Sequence, residues 1–286
     1  MLAIDWFTDL HLPSLDHRAS DMSAAEQTDM RETILKGASA YAARLAHERG
    51  DLVVNTGDNI DTTPDRVVDA WLQATVRDIF NPVADALHML PGNHDIRHGI
   101  DPDFIQTTKV IDADEATLIF WAANVQPGKS GTNIRLSSVP QLRHKFYKAT
   151  QDDLVDLARA FDQCRPSRPV LLFTHVPPND DATHNPVDND ERFNPLRSHY
   201  KNGALALNIL KQSGCSVFVF SGHRHLNRET AHGDRIRLFT MDRMTRWEDM
   251  GEHRPAGINH ARIEIGKTSL TLRRSGVMPL VRTYAF

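Results

Sequence analysis

"LPGNHD", residues 90–95, closes the short apolar run "ALHML" (86–90) and turns abruptly polar. A reversal after a buried strand uses Gly and tolerates Asn, but it has no use for a His-Asp pair. Working outward from this join, the same pattern recurs along the chain. "LAIDWF" (2–7) runs into Asp9-Leu10-His11, and "DLVVNTG" (51–57) into Gly57-Asp58-Asn59. "PVLLFT" (169–174) ends at His175, and "SVFVFSG" (216–222) opens Gly222-His223-Arg224-His225. Each apolar run is short and bounded by turn residues, which predicts buried strands. Ligands in an α/β sheet gather at the carboxyl ends of strands. Five such ends carrying Asp, His and Asn therefore predict one shared site.

Helical patterns separate these strands. Ser23 and Glu26 have capping-box spacing, and Met30, Ile34, Ala38, Tyr41 and Leu45 then form one apolar face, with Gly50 to end the helix. Thr63 as N-cap and Pro64 in the first turn predict a second helix to about Phe80. Thr150 and Asp153 cap a third, with Leu154, Leu157, Ala158 and Phe161 on one side, and "GALALNILKQSG" (203–214) reads as a fourth. "TLIFWAA" (117–123) and "TNIRLSS" (132–138) both read as strands. Beyond residue 225 the pattern changes. "IRLFTM" (236–241), "ARIEI" (261–265) and "SLTLRR" (269–274) suggest antiparallel strands, the last pair joined around Gly266-Lys267. With neither repeat nor clear linker, residues 1–286 are expected to form one α/β domain.

Composition narrows the partners. A net charge of -4 argues against a protein that works by gripping nucleic-acid backbone. Cys164 and Cys215 lack Cys-x-x-Cys spacing and read as small buried side chains. The N-terminal stretch has no basic region followed by a long apolar one, so no secretion signal is expected. No run reaches the roughly 18 apolar residues of a membrane span, and a cytoplasmic protein without a membrane partner is expected.

Carboxylate oxygen and imidazole nitrogen suit zinc, manganese or iron. Asp9, His11, Asp58, Asn93, His175, His223 and His225 are too many ligands for one ion, whereas two ions fit if a carboxylate is shared. The alternating pairs Asp9/His11 and His223/His225 would each present both side chains on one side of an extended segment. Gly57, Gly92 and Gly222 would let the backbone turn and approach the site. Singly, each block has a plainer reading: Asp-x-His is common, Gly-Asp-Asn is a turn tripeptide, and a lone His can be a core residue. Their force lies in recurring in order, each at a strand end.

Taken together, the five blocks resemble the signature of the calcineurin-like metallophosphoesterase superfamily: Asp-x-His, Gly-Asp, Gly-Asn-His-Asp, His and Gly-His-x-His, over residues 9 to 225. The resemblance implies a four-layer αββα sandwich with two mixed β-sheets, the C-terminal strands lying in the second sheet. It implies two divalent ions (manganese, iron or zinc), one on Asp9, His11 and His225, the other on Asn93, His175 and His223, with Asp58 bridging. His94 would face the phosphate as a catalytic group, and Asp95 would either orient His94 or hold the loop. The implied chemistry is in-line attack on phosphorus by a hydroxide that both ions activate.

Departures from subfamily patterns favour a small phosphodiester as substrate. Asp61-Thr62-Thr63 stands where the Ser/Thr phosphatases have Asp-Arg-Gly, and Asp61 where purple acid phosphatases have their tyrosine. The precursor hydrolases of lipid A share "DLHL" but carry Asn-Arg-Asp where this chain has Asn93-His94-Asp95. "LLFTHVPP" is similar to the His-His-Pro-Pro block of class III cyclic-nucleotide phosphodiesterases, with Val176 in place of the second histidine. A cyclic nucleotide is thus one candidate; the alternatives are a phosphomonoesterase, a DNA-repair-type nuclease and an inactive scaffold. The polar stretch 179–201 is expected to be a substrate-facing flap, with Arg192, Arg197, His199 and Tyr200 as substrate contacts. A homo-oligomer is left open.

Overall fold

The computed structural model describes residues 1–13, 23–96, 103–123, 149–179, 199–244, 258–276 and 278–286. In chain order its elements are β1 (Leu2–Phe7), α1 (Ala24–Glu48), β2 (Leu52–Asn55), α2 (Arg66–Phe80), β3 (Leu87–Met89), β4 (Lys109–Asp112) and β5 (Thr117–Phe120). There follow α3 (Gln151–Asp162), β6 (Val170–Phe173), α4 (Gly203–Gln212), β7 (Val217–Ser221), β8 (Arg228–His232), β9 (Ile236–Thr240), β10 (His260–Ile265), β11 (Ser269–Ser275) and β12 (Leu280–Ala285). The strands form two mixed sheets, ordered β12-β11-β10-β1-β2-β3 and β4-β5-β6-β7-β9-β8.

Side-chain alternation along the second sheet sets the layers. Leu118, Phe120, Leu171, Phe173, Phe218, Phe220 and Phe239 face the first sheet. Their neighbours Ile119, Val170, Leu172, Val217, Val219 and Leu238 pack outward, in one cluster with Leu154, Leu157 and Phe161 of α3 and Leu207 and Leu210 of α4. Phe120, Phe173, Phe220 and Phe239 are paired in register across four parallel strands. Their rings therefore stack in a row, with centroids 5.1–5.3 Å apart. Trp6 of β1 meets Phe220 edge-on at 5.1 Å, locking the two sheets together. Phe7, the next residue, points the other way and packs against Tyr41 of α1 and Phe80 of α2. The result is helices, sheet, sheet, helices: the αββα sandwich that the resemblance implies.

Local signals hold in most places. Ser23 with Glu26, and Thr150 with Asp153, form reciprocal capping boxes. The second helix differs: Asp65, not Thr63, is its N-cap, its side chain accepting from the Val67 N–H at 2.8 Å. Thr63 turns inward, and its N–H and hydroxyl both donate to Asp69 Oδ1, at 2.8 and 2.7 Å. The stretch 132–138, read as a strand, lies outside the described residues.

The C-terminal strands require a larger correction. β10, β11 and β12 extend the first sheet, because β10 pairs antiparallel with β1, Leu2 opposite Ile265. This buries Ala261, Ile263 and Ile265 completely. β9 belongs to the second sheet, parallel to β7 and antiparallel to β8. The carboxyl ends of β1, β2 and β3 from one sheet thus meet those of β6, β7 and β9 from the other.

Candidate metal centre

The loop after β1 runs beside the loop after β2. Asp9 N–H donates to the Gly57 carbonyl at 2.8 Å, and His11 N–H to the Asp58 carbonyl at 3.0 Å. These bonds hold a backbone that is not the extended one the alternating pairs suggested. Asp9, His11, Asp58, His223 and His225 all lie in the left-handed region, with φ between 49° and 72°. Such a conformation costs about 1–3 kcal/mol per residue and persists only where surrounding contacts enforce it. Here it turns each side chain toward a common centre.

Gly92 and Gly222 permit the closest approaches. A methyl group on Gly92 would strike the Asp58 carboxylate, and one on Gly222 would strike Thr8 and the Asp9 carboxylate. Asp9, wholly buried, accepts from the Thr8 hydroxyl at 2.6 Å and from His223 N–H at 3.0 Å.

Two of the clusters that result share Asp58, beside a third of His11, Asp61 and His94. Single ligand atoms of Asp9, His11, Asp58 and His225 lie within 4.8 Å of one another, as do those of Asp58, His175 and His223. Asn93 joins the second cluster, its Oδ1 lying 3.1 Å from His175 Nε2. All seven residues expected to bind metal are thereby brought together.

The hydrogen bonding around the centre fits paired cations. His175 Nδ1–H donates to the Thr56 carbonyl at 2.8 Å, which leaves Nε2 as a lone-pair donor 3.2 Å from Asp58 Oδ2. His11 Nδ1–H donates to Asp61 Oδ1 at 2.7 Å, and its Nε2 then faces His225 Nε2 at 2.8 Å. Two imidazole nitrogens at that separation need a proton or a cation between them.

The charges point the same way. Burial alone would depress His175, but the Asp58 carboxylate beside it pushes it up to about 9. Burial opposes protonation of His11 too, yet Asp61 carries it well above the ordinary histidine range. Asp58 is held far below the usual carboxylate range, since the charges of His175 and His94 outweigh its burial. The centre is a buried concentration of negative charge that draws positive charge onto itself, and its oxygen and nitrogen donors are those divalent transition ions prefer.

His94 and Asp95 are arranged differently from each other. His94 is half-buried beside His11, ring centroids 5.0 Å apart, and its N–H donates to Asp58 Oδ1 at 2.8 Å. The Asp95 carboxylate accepts from Gly92 N–H at 2.8 Å and Asn59 N–H at 3.0 Å. These bonds tie its side chain into the loop. Burial and the nearby Asp58 push its carboxyl up to about 7. The carboxylate closer to the His94 ring is Asp61, whose Oδ1 lies 3.9 Å from His94 Nδ1.

Asp61 was missed as a site residue. Its position three residues beyond Asp58 is a usable signal, which the comparisons with the Asp-Arg-Gly and tyrosine patterns leave unused. Thr56 acts through its carbonyl and left no side-chain signal. Of the expected substrate contacts, Arg192 and Arg197 lie outside the described residues. Tyr200 corrects the expectation: the residue is 1% exposed and its ring packs on Trp121 in the outer core, while its N–H is bound to the Pro177 carbonyl at 3.1 Å. His199, beside it, is partly exposed.

Carboxylate–imidazole clusters that share one aspartate, set where strand ends of two sheets meet, define a centre of the two-metal hydrolase type. The chain belongs to the calcineurin-like phosphoesterase family, which it matches over residues 2–227. It is similar in structure to a dimetal phosphatase from Danio rerio, with a TM-score of 0.71 and 14% identity over 99% of both chains. It is also similar to purple acid phosphatase PPD1 from yellow lupin (Lupinus luteus), with a TM-score of 0.57 and 9% identity, covering 99% of this chain and 53% of that one. No curated protein matches the sequence. Among the described residues, no helix is long and apolar enough to cross a membrane.

Proposed function

We propose that the protein is a dinuclear-metal phosphodiesterase acting on a small diester, with a cyclic nucleotide as one candidate. The observation that carries the hydrolase reading is the pair of ligand clusters hinged on Asp58. In this reading Asp9, His11 and His225 hold one ion, Asn93, His175 and His223 the other, and Asp58 both. Manganese, iron or zinc bound there would supply Lewis acidity and a nucleophilic oxygen at neutral pH.

The chain's own groups do the rest. The His11–Asp61 and His175–Thr56 hydrogen bonds fix both imidazoles with Nε2 toward the centre. Asp95 and the Asp58–His94 backbone bond hold the loop that carries His94. In this reading the His94 ring, with Asp61 Oδ1 3.9 Å from its Nδ1, would pass a proton to the departing oxygen. The diester preference rests on the resemblance of "LLFTHVPP" to the diesterase block.

A second reading, phosphomonoesterase, draws on the Danio rerio neighbour, described as a phosphatase. Manganese-loaded protein is assayed on bis(p-nitrophenyl) phosphate and on p-nitrophenyl phosphate. A higher kcat/KM on the diester supports the first reading, a higher one on the monoester the second. Hydrolysis of neither, by folded and metal-loaded protein, leaves the inactive scaffold.

A further inference from the structure

The strand-end rule that located the centre has a sixth application. β9 is parallel to β7 and adjacent to it, Thr240 opposite Ser221, so both strands end at the same height. After β7 come His223 and His225; after β9 comes Met241-Asp242-Arg243-Met244, which the proposed chemistry leaves without a role.

This segment is built into the site. Met241 N–H donates to the Ser221 carbonyl at 3.0 Å, and Met244 N–H reaches the carbonyls of Thr8 and Asp9 at 3.0 and 3.3 Å. Asn259, buried just before β10, donates its side-chain amide to the Arg243 carbonyl at 2.8 Å and its N–H to the Met244 carbonyl at 2.9 Å. Arg243 N–H is itself held by Asp242 Oδ1 at 2.9 Å. An arginine is thus carried on a rigid backbone beside the loop of Asp9, with its side chain partly exposed.

We infer that Arg243 binds a phosphoryl oxygen of the substrate on the Asp9–His225 side of the centre. A planar guanidinium offers paired N–H donors matched to phosphate. The inference rests on the phosphoester reading and deepens it by naming an anion-binding residue from a sixth strand end.

The test compares Arg243→Gln and Arg243→Lys with the unaltered chain, all manganese-loaded. Inorganic phosphate binding is measured by calorimetry, metal content by elemental analysis, and kcat and KM on the better nitrophenyl ester. Arg243→Gln is expected to keep its metal, to bind phosphate about 10-fold more weakly or worse, and to lose kcat/KM in proportion. Arg243→Lys restores part of the phosphate affinity. Unchanged phosphate affinity in Arg243→Gln with full metal content overturns the inference. So does a loss of manganese that accounts for the whole effect, since Arg243 is then structural. If the unaltered protein binds phosphate but hydrolyses no ester, the hydrolase reading fails, while the calorimetry still decides the role of Arg243.

Discussion

Replacing Gly222 with alanine tests the closeness of the two sheets at the centre. The backbone there needs no left-handed conformation, so the only cost is where the new methyl goes. It meets the Thr8 hydroxyl and the Asp9 carboxylate, both on side chains with no exposure into which they can relax. Overpacking of this kind costs about 1–3 kcal/mol. Taking roughly 2 kcal/mol, and about 2–4 °C per kcal/mol for a chain of this size, the melting temperature should fall by roughly 4–8 °C. The displaced carboxylate should also weaken the cluster of Asp9, His11 and His225, so manganese content should drop from two ions per chain towards one. Gly266→Ala is the control, because its methyl would lie an ordinary 3.6 Å from the Ser269 carbonyl oxygen. Calorimetric melting and elemental analysis read both effects. A Gly222→Ala protein with the melting temperature and metal content of the control would refute the close packing of β7 against the Asp9 loop.

His94→Ala should keep its metal and lose turnover by about 100-fold or more, whereas Asp58→Ala should lose metal as well; equal metal loss in both would contradict the division of roles. Phe220→Ala removes one of the two inner rings of the aromatic row and should destabilise the fold by about 3–5 kcal/mol in denaturant titration, since Trp6, Phe173 and Phe239 all pack on it. Burial, with Lys109 nearby, lowers His88 from 6.5 to about 4. Unfolding therefore takes up a proton there, so its contribution to stability is whole above pH 6.5 and is lost as pH falls through 4. His88→Gln should flatten that part of the decline in melting temperature, and an unchanged slope would count against the burial of this imidazole.

The strands and their endings were legible because each block announces itself locally. "LAIDWF" coincides with β1, and the runs before Gly57, His175 and Gly222 contain β2, β6 and β7. The partner of β10 was not legible: alternation identifies a strand and its buried face, but not which open sheet edge it joins. The left-handed backbone of the ligand residues was hidden for a related reason. Nothing in Asp9 or His11 as residue types requires it; hydrogen bonds from their N–H groups to the carbonyls of Gly57 and Asp58, some fifty positions away, impose it. Arg243 became visible only once β9 was seen to run parallel to β7, since the sequence pattern suggested an antiparallel strand. Tyr200 misled because a polar stretch precedes it, while its own ring belongs to the core with Trp121.

Anomalous diffraction from manganese-soaked crystals is the most direct measurement of the paired-cation centre. Two peaks are predicted, one among Asp9, His11 and His225 and one among Asn93, His175 and His223, with Asp58 in contact with both. A single peak, or two that Asp58 does not join, would contradict it.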